Sequence, residues 1–423
     1  MKINNKKVKK NINNINIKVN MYICYIMDRL FSISQDFVHR SSSGFSRFLL
    51  DRISLTDRIT GIIGCRGIGK SSLLLQCMKG DLSKDDKGLY VSLDDLYFST
   101  TSLLDFAREF YRMGGTHLFL DDLHKYSKAL IDLNGILDEL PELKIIFASS
   151  AFNYSDEDGL DLKKMARLHF LPGMSFREFL DLRYQLVFPF IQFDELLELN
   201  RNPGITVLNR IRPLQYFDEY LREGYYTVSS DSTPEYQSRV IHLLNHVLEG
   251  DFPAIHHIDF DSVEKIRRLL SIIAVTGPLK PNIERLAAES GTTRDSLLKF
   301  LKYMHQADLI SWITRVGEDL NYLNKPELMC LNNSNLVAAV SPGNPGREAM
   351  LETFLISQMQ IGHRVNLTKE GNLLIDDKYS FSLSWKQKGN RRVGLKNDGY
   401  TLCDGLDYQT GTRIPLWMLG FLY

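Results

Sequence analysis

The hydrophobic pattern between about residues 58 and 172 alternates short apolar runs with amphipathic stretches. The apolar runs are RITGIIG, GLYVSL, THLFLDD, KIIFASS and RLHFLP. Strands that helices cover on both faces have this nearly continuous apolar character. The pattern therefore predicts an α/β fold with a parallel sheet between helices.

The pattern changes beyond this region. Residues 186–262 are mostly helical in pattern and interrupted by prolines, which predicts a helical lid or connector. Residues 263–330 contain three amphipathic helices and two short β-like runs around Gly317, an arrangement typical of a winged helix. Residues 331–423 contain a Pro/Gly turn, a helix and strands, which predicts a small α+β domain.

The first 26 residues differ from the rest of the chain. The first twenty carry six lysines and no acidic residue, and asparagines interrupt every apolar stretch that a secretory signal would need. A disordered basic arm, a failed targeting signal and translation from an early start codon all fit this composition. We favour the last, because an amphipathic helix begins at Met27, and we predict the first domain over 27–185.

Composition and charge narrow the class of protein. A chain of 423 residues with 44% hydrophobic and 24% charged residues predicts two to four soluble domains. Basic and acidic residues number 51 each, which argues against a surface that binds nucleic acid throughout. The five cysteines form no CxxC pair and have no His partners at metal spacing, so a reducing cytoplasm fits.

A glycine-rich motif, GxxxxGK[ST], follows the first apolar run and precedes a helical stretch. This context matters because the motif cradles phosphates only where a strand leads into a helix N-terminus. The glycines allow the loop conformations that bring backbone N–H groups to phosphate oxygens. The predicted nucleotide-binding residues are Gly64, Cys65, Arg66, Gly67, Ile68, Gly69, Lys70, Ser71 and Ser72.

The motif also assigns roles to individual side chains. Lys70 is predicted to pair with the β and γ phosphates of ATP, and the Ser71 hydroxyl to ligate Mg²⁺. Asp121, at the end of HLFLD, is predicted to hold the metal through water. Asp122 occupies the place where such ATPases commonly use glutamate to polarise the attacking water, so we predict slow hydrolysis.

Serines end the KIIFASS run. In ATPases of this build, a hydroxyl or amide at this place senses the γ-phosphate. Ser149 and Ser150 are both candidates for that role, and both are equally compatible with ordinary strand ends.

These residues resemble a known group, the prokaryotic AAA-type ATPases fused to a winged helix and a degenerate restriction-nuclease-like domain. The resemblance rests on GIIGCRGIGKSSLLLQ, LFLDDLHKY, LPGMSFREFL, LNKPELMCLNNSNL and IPLWMLGFLY. It spans nearly the whole chain from about Met27. It implies a P-loop ATPase sheet, a helical lid, a winged helix over 263–330 and a restriction-endonuclease-like domain over 331–423.

The chain departs from that group after the sensor strand. The group usually carries an arginine pair following Asp-Leu, whereas Lys163, Lys164 and Met165 stand here. The identity of any arginine finger is therefore left open. Lys164, Arg167 and Arg177 are candidates, although lysine lacks the bidentate fork of arginine.

The C-terminal domain departs further from active nucleases. Asn372 and Ser382 stand where the group often has its metal carboxylates, while Lys386 and Glu352 remain. Asp376 and Asp377 lie in the turn between the two strands and do not simply replace the missing ligands. Because a hard cation needs charged oxygen ligands, we predict a nuclease-shaped scaffold without cleavage activity.

Two basic regions leave contact with DNA open. The sequence LAAESG followed by TTRDSLLKFL is typical of a helix-turn-helix with Arg294, Lys299 and Lys302 available for phosphates, although Asp295 intervenes. In multidomain ATPases such a module often docks a protein partner instead, so DNA and protein both stay open as partners of the winged helix. A second basic patch consists of Lys386, Lys388, Arg391 and Arg392. The leading hypothesis is an ATPase or ATP-driven switch with no membrane partner. The alternative is a DNA-binding regulatory or defence-associated module in which ATP is mainly structural.

Overall fold

The computed structural model describes residues 26–40, 44–80, 82, 87–150, 160–198, 201–228, 230–316, 326–369, 371–384 and 399–423. These residues form two compact units. The first unit holds the described residues up to Ile62, those of Lys70–Ser149 and those of 154–169. The second unit holds Ile63–Gly69, Ser150 and the described residues from Phe170 onward.

A five-stranded sheet forms the core of the first unit. Its order is β2-β3-β4-β1-β5, with β1 (Ile59–Ile63), β2 (Gly88–Ser92), β3 (His117–Asp121), β4 (Lys144–Ser149) and β5 (Arg167–Phe170). The β2–β3 and β3–β4 pairs are parallel. Every residue of β1 and β3 is buried, as in a sheet covered on both faces. The predicted α/β fold with a parallel sheet is confirmed.

The strand order determines which loops meet at one edge. Because β4 lies between β1 and β3, the carboxyl ends of these three strands are neighbours. Ligands of open parallel sheets bind at this edge. The phosphate motif follows β1, the two aspartates end β3, and the serines end β4.

The helices of the first unit are α1 (26–40), α2 (Lys70–Gly80), α3 (Leu103–Arg112), α4 (Ala129–Glu139) and α5 (Leu162–Met165). Helix α2 packs against β2, β3 and β4. Its residues Leu73 and Leu74 are fully buried, which fixes the helix N-terminus at the edge where the strands end.

The second unit begins with short helices. They are α6 (Phe176–Tyr184), α7 (Phe193–Leu197), α8 (Ile205–Leu208), α9 (Leu214–Glu223), α10 (Thr233–His246) and α11 (Phe252–His256). A π-helical turn over Val247–Asp251 connects α10 to α11. Helices α7 to α11 fall within the range predicted as a helical lid or connector, 186–262, and Thr227 and Leu243 of this range contact Gly67.

Three longer helices and two strands follow, as the pattern predicted. They are α12 (Phe260–Thr276), α13 (Ile283–Ser290), α14 (Arg294–Gln306), β6 (Ile310–Arg315) and β7 (Leu328–Leu331). Gly291, with φ of +70°, ends α13, and the Thr293 side chain caps α14. Strands β6 and β7 pair antiparallel.

The remaining elements are α15 (Ser334–Val340), α16 (Arg347–Met359), β8 (Val365–Leu367), β9 (Leu373–Ile375), β10 (Tyr379–Ser384), β11 (Gly399–Cys403) and β12 (Arg413–Pro415). One seven-stranded sheet has the order β12-β11-β10-β9-β8-β6-β7. Strand β6 pairs parallel with β8 through Thr314 and Arg315. The sheet therefore contains strands from both sides of the predicted boundary at residue 330.

The structure also places the nuclease-related positions. Asn372 directly precedes β9, Ser382 lies in β10, and Glu352 lies in α16. Asp376 and Asp377 have φ of +53° and +56° and form the predicted turn between β9 and β10. Within the described residues, no three His, Cys, Asp or Glu side chains are grouped as a metal site. The other predicted basic residues, Lys386, Lys388, Arg391 and Arg392, lie outside the described residues.

No helix in the described part of the chain combines the length and the apolar character that crossing a bilayer requires.

Candidate functional site

The loop after β1 adopts backbone conformations that glycine alone takes readily. Gly67 and Gly69 have φ of +84° and +90°. Gly64 has no room for a side chain, because an added Cβ atom would lie 2.2 Å from the carbonyl oxygen of Leu171. The spacing of glycines in the motif thus matches three separate backbone requirements.

The carbonyl group of Gly67 is held from outside the loop. Its oxygen accepts hydrogen bonds from the Thr227 backbone N–H at 2.9 Å and from Thr227 Oγ1 at 3.0 Å. Leu243 of α10 packs on the same glycine, since an added Cβ atom would lie 2.3 Å from Leu243 Cδ1. These contacts fix one peptide group of the loop with residues far along the chain.

Replacement of Gly67 by alanine is expected to weaken ATP binding by about tenfold or more, because a positive φ strains an L-residue by about 1–3 kcal/mol. The collision with Leu243 adds to that strain. Calorimetric titration with ATP measures the change. Gly80→Ala is the matched control, because no atom lies within 4 Å of an added Cβ atom there. Equal affinities for the two variants would contradict the expected result.

Arg66, which the motif placed among the nucleotide-binding residues, forms an ion pair with Asp251. Its Nη1 lies 3.2 Å from Asp251 Oδ1 and 3.3 Å from Oδ2. The side chain of Asp251 is only 2% exposed, whereas that of Arg66 is 24% exposed. The Arg66 guanidinium therefore compensates a buried carboxylate of the π-helical turn.

Replacement of Arg66 by alanine is expected to lower the free energy of unfolding by about 3 kcal/mol, because it removes the guanidinium that pairs with the buried Asp251 carboxylate. Urea denaturation measures this loss. The double variant Arg66→Ala/Asp251→Ala is expected to recover part of it. A single variant as stable as the wild type would show that the pair contributes nothing.

The first residues of α2 carry the two polar groups of the motif. Lys70, the first residue of α2, is 8% exposed. Ser71 and Ser72 follow it and are exposed. The N–H groups of this first helical turn have no partner within the helix, and the helix dipole favours an anion there. The local geometry is suited to a phosphate group.

Asp121, the last residue of β3, is a buried carboxylate with two neutral hydrogen-bond donors. Its Oδ2 accepts from the Tyr90 hydroxyl at 2.7 Å, and its Oδ1 accepts from the Asp122 backbone N–H at 2.9 Å. It is 5% exposed. Both of these donors are neutral groups.

Tyr90 was not among the site residues predicted from the sequence. Burial, followed by the charge of Asp121, raises the pKa of Tyr90 far above its usual range, so the hydroxyl remains a donor. The residue lies in β2 opposite Phe119 of the neighbouring strand β3. The sequence did contain an indication of this role. Tyr90 is an aromatic residue with a hydroxyl group, and it lies in the mostly apolar run GLYVSL, two positions before the end of β2.

Asp122 lies beyond the end of the strand and has a left-handed backbone, with φ of +54° and ψ of +39°. Its side chain is 29% exposed, and its Oδ1 lies 3.9 Å from Nε2 of the buried His124. Asp tolerates this backbone conformation better than most residues. The conformation turns the chain sharply at the position predicted to polarise water.

The structure distinguishes the two serines that end β4. Ser149 is fully buried, and its Oγ has no hydrogen-bond partner among the described residues. Ser150 is 8% exposed and belongs to the second unit. A buried hydroxyl without a partner costs free energy unless a ligand or water satisfies it. Ser149 is therefore the stronger candidate for a phosphate sensor.

The three candidate cations after β4 have different surroundings. Arg177 Nε donates to the carbonyl oxygen of Tyr423 at 3.0 Å, and its Nη1 donates to that of Phe188 at 3.4 Å, so its contacts are structural. Arg167 lies 3.5 Å from Asp57, and Lys164 is exposed. No contact recorded for these three side chains favours an arginine-finger role.

A sequence model of a protein family, described as an AAA domain, matches residues 56–180. This range contains the glycine loop, Asp121 and Ser149, and it covers less than a third of the chain. The match and the sheet together assign an AAA-type P-loop domain to this part of the protein.

An uncharacterised protein of Methanocaldococcus jannaschii is 22% identical over 270 residues, which are 60% of this chain and 56% of that relative. The chain thus spans little more than half the length of this curated relative.

Among solved structures, the replication initiator DnaA bound to AMPPCP and single-stranded DNA is 16% identical. The matched region covers 61% of this chain and 85% of the DnaA chain, with a TM-score of 0.25. AMPPCP-bound DnaA from Aquifex aeolicus is 14% identical. The matched region covers 66% of this chain and 88% of that DnaA chain, with a TM-score of 0.24. Sequence identities and TM-scores this low assign neither an activity nor a partner to this chain.

Proposed function

We propose that the chain binds ATP through Gly64–Ser72 and acts as a slow ATPase or ATP-driven switch. The observation that carries this proposal is the position of the motif in the sheet. A glycine loop with positive φ at Gly67 and Gly69 follows β1 and leads into the N-terminus of α2. A buried aspartate ends β3, and a buried hydroxyl ends β4.

Mg²⁺ fits the residues that the chain provides. The buried Asp121 carboxylate has only neutral donors among the described residues, and a hard cation would compensate its charge. Ser71 and Asp121 would hold the ion, the hydroxyl directly and the carboxylate through water. When bound with ATP, the ion neutralises charge on the β and γ phosphates.

The chain's own groups account for the expected slow turnover. Lys70 would place its ammonium on the phosphates, and Ser149 would donate to the γ-phosphate. The Asp122 carboxylate, on a residue with a left-handed backbone, would orient the attacking water. Because this side chain is one methylene shorter than glutamate, we expect turnover below that of glutamate-bearing ATPases.

A phosphate-release assay on the chain starting at Met27, with Mg²⁺ and ATP, tests the proposal. We expect release that stops when Mg²⁺ is chelated. Calorimetry with ATP runs in parallel, because an ATP-driven switch with negligible turnover would still bind. Absence of both binding and release would reject the proposed function.

A DNA-binding module is the second candidate, and the segment from α13 to α14 favours it. Gly291 makes the turn between these helices, and Arg294, the first residue of α14, and Lys299, in its second turn, are exposed. Under this winged-helix interpretation, α14 would contact DNA phosphates. An electrophoretic shift with duplex DNA at two salt concentrations tests it: salt-sensitive binding that persists in Lys70→Ala would favour this candidate.

A further inference from the structure

A cleft with a volume of about 580 Å³ opens within the second unit. It is formed by the end of α14, strands β6 and β8, the end of α16 and the segments around Phe170 and Tyr225. None of its lining residues belongs to Gly64–Ser72. The volume lies in the range of sites for small organic ligands, about 300–1,000 Å³.

Aromatic rings form part of the cleft wall. The rings of His305 and Trp312 stack, with centroids 4.3 Å apart and an interplanar angle of 20°. Tyr225 and Phe170 also line the cleft, and Phe170 is 52% exposed. Such surfaces favour a planar ligand, because rings gain free energy by stacking.

His305 contributes a neutral ring. Burial lowers its pKa, so the imidazole is uncharged at neutral pH. Its Nδ1 lies 3.1 Å from the carbonyl oxygen of Ile310 and therefore carries the proton. The other ring nitrogen is then an acceptor.

Two carboxamides of the cleft have their donors fixed and their acceptors available. Gln360 Nε2 donates to the Trp312 carbonyl oxygen at 3.1 Å, and Asn366 Nδ2 donates to Thr314 Oγ1 at 3.3 Å. The buried Oδ1 of Asn366 accepts no hydrogen bond from the described residues. These acceptors suit a ligand that carries N–H donors.

The charges of the cleft are few. Its lining contains one carboxylate, Asp308, and one guanidinium, Arg364, which pairs with Asp377 at 3.2 Å. His363 is likewise engaged with Asp376 at 2.7 Å. Polyphosphates need a cluster of cations or helix N-termini, which the lining does not offer. An uncharged ligand fits this balance.

We propose that this cleft binds a nucleoside, whose base stacks on the aromatic wall and donates N–H hydrogen bonds to the carboxamide oxygens. The edges of all four bases carry N–H donors that a carboxamide oxygen can accept. The site is separate from the phosphate loop. The proposal does not depend on ATP binding at that loop.

Tryptophan fluorescence reports on this site directly. Trp312 lines the cleft, and Trp417 is fully buried elsewhere in the second unit. The third tryptophan, Trp385, lies outside the described residues, so the titration is run in the Trp385→Phe background. The full chain is titrated with adenosine, guanosine, cytidine and uridine, with ribose as the control without a base. At least one nucleoside is expected to quench the emission saturably. Trp312→Phe should lose the quenching while calorimetry still detects binding, because phenylalanine retains a stacking face.

Variants of the carboxamides complete the test. Gln360→Leu and Asn366→Leu are each expected to weaken binding by about three- to tenfold, the loss of one neutral hydrogen bond. Asn372→Leu, outside the cleft lining, should bind as the wild type does. Circular dichroism checks that each variant is folded. If Asn366→Leu unfolds because Asn366 is the more buried residue, Gln360→Leu alone tests the contribution of the carboxamides.

Three outcomes would overturn the proposal. The first is the absence of quenching by all four nucleosides up to their solubility limits. The second is an unchanged affinity in the folded carboxamide variants. The third is competition with ADP. If the protein binds ADP and saturating ADP abolishes nucleoside binding, the nucleoside binds at the phosphate loop and not in the cleft.

Discussion

Lys70→Ala is expected to weaken ATP binding by about 100-fold or more, which corresponds to roughly 2.7 kcal/mol. Lys70 is the first residue of α2, and its side chain supplies the ammonium of the motif. Charge-assisted hydrogen bonds contribute about 1.5–3 kcal/mol each, and this ammonium is expected to make them to two phosphates. Calorimetric titration with ATP in the presence of Mg²⁺ measures the loss.

The matched control for this variant is Lys79→Ala. Lys79 lies in the last turn of the same helix and is exposed, so its replacement removes an equal charge without touching the loop. We expect its affinity for ATP to stay within about twofold of wild type, since exposed charges act weakly through screened solvent. Micromolar affinity retained in folded Lys70→Ala would reject the assignment of the phosphate site.

Asp121→Asn is expected to reduce Mg²⁺-dependent phosphate release by about 100-fold or more, a loss typical of removing a charged group that acts at the reacting phosphate. Asparagine preserves the shape of the side chain, and its single oxygen can still accept from the Tyr90 hydroxyl, while its NH2 group cannot accept from the Asp122 N–H. The change therefore removes the negative charge that would hold the cation, together with one neutral hydrogen bond. Binding of ATP without Mg²⁺ should persist.

Two comparisons make this prediction specific. Asp138→Asn changes an exposed carboxylate of α4 and should leave phosphate release unchanged. Tyr90→Phe removes the hydroxyl that donates to Asp121 and should alter the Mg²⁺ concentration needed for half-maximal release, while ATP binding without the ion stays constant. If Asp121→Asn releases phosphate as fast as wild type at saturating Mg²⁺, the carboxylate does not serve the metal.

Local sequence was sufficient to predict the sheet and the loop. The runs around β1 to β5 are apolar because helices cover both faces, and a run of that kind is recognisable without any long-range information. The positive φ of Gly67 and Gly69 follows from the motif itself. The three helices α12 to α14 were equally visible from their periodicity.

The contacts that hold the loop could not be predicted in this way. Thr227 lies 160 residues from Gly67, and Asp251 lies 185 residues from Arg66. Nothing in a local pattern indicates which distant side chain will meet a given carbonyl or guanidinium. Tertiary packing decides such pairs, so the sequence assigned Arg66 to the nucleotide and gave no sign of its carboxylate partner.

The seven-stranded sheet limits how the protein can be divided for experiments. A fragment that ended at Leu331 would include β6 and β7 but not β8, and would expose the backbone of Thr314 and Arg315, which β8 otherwise pairs. Unpaired strand edges recruit other chains and promote aggregation. The three-helix segment should therefore be produced together with residues up to the end of the chain, and insolubility of a shorter piece would reflect a missing neighbour strand rather than an unstable helix bundle.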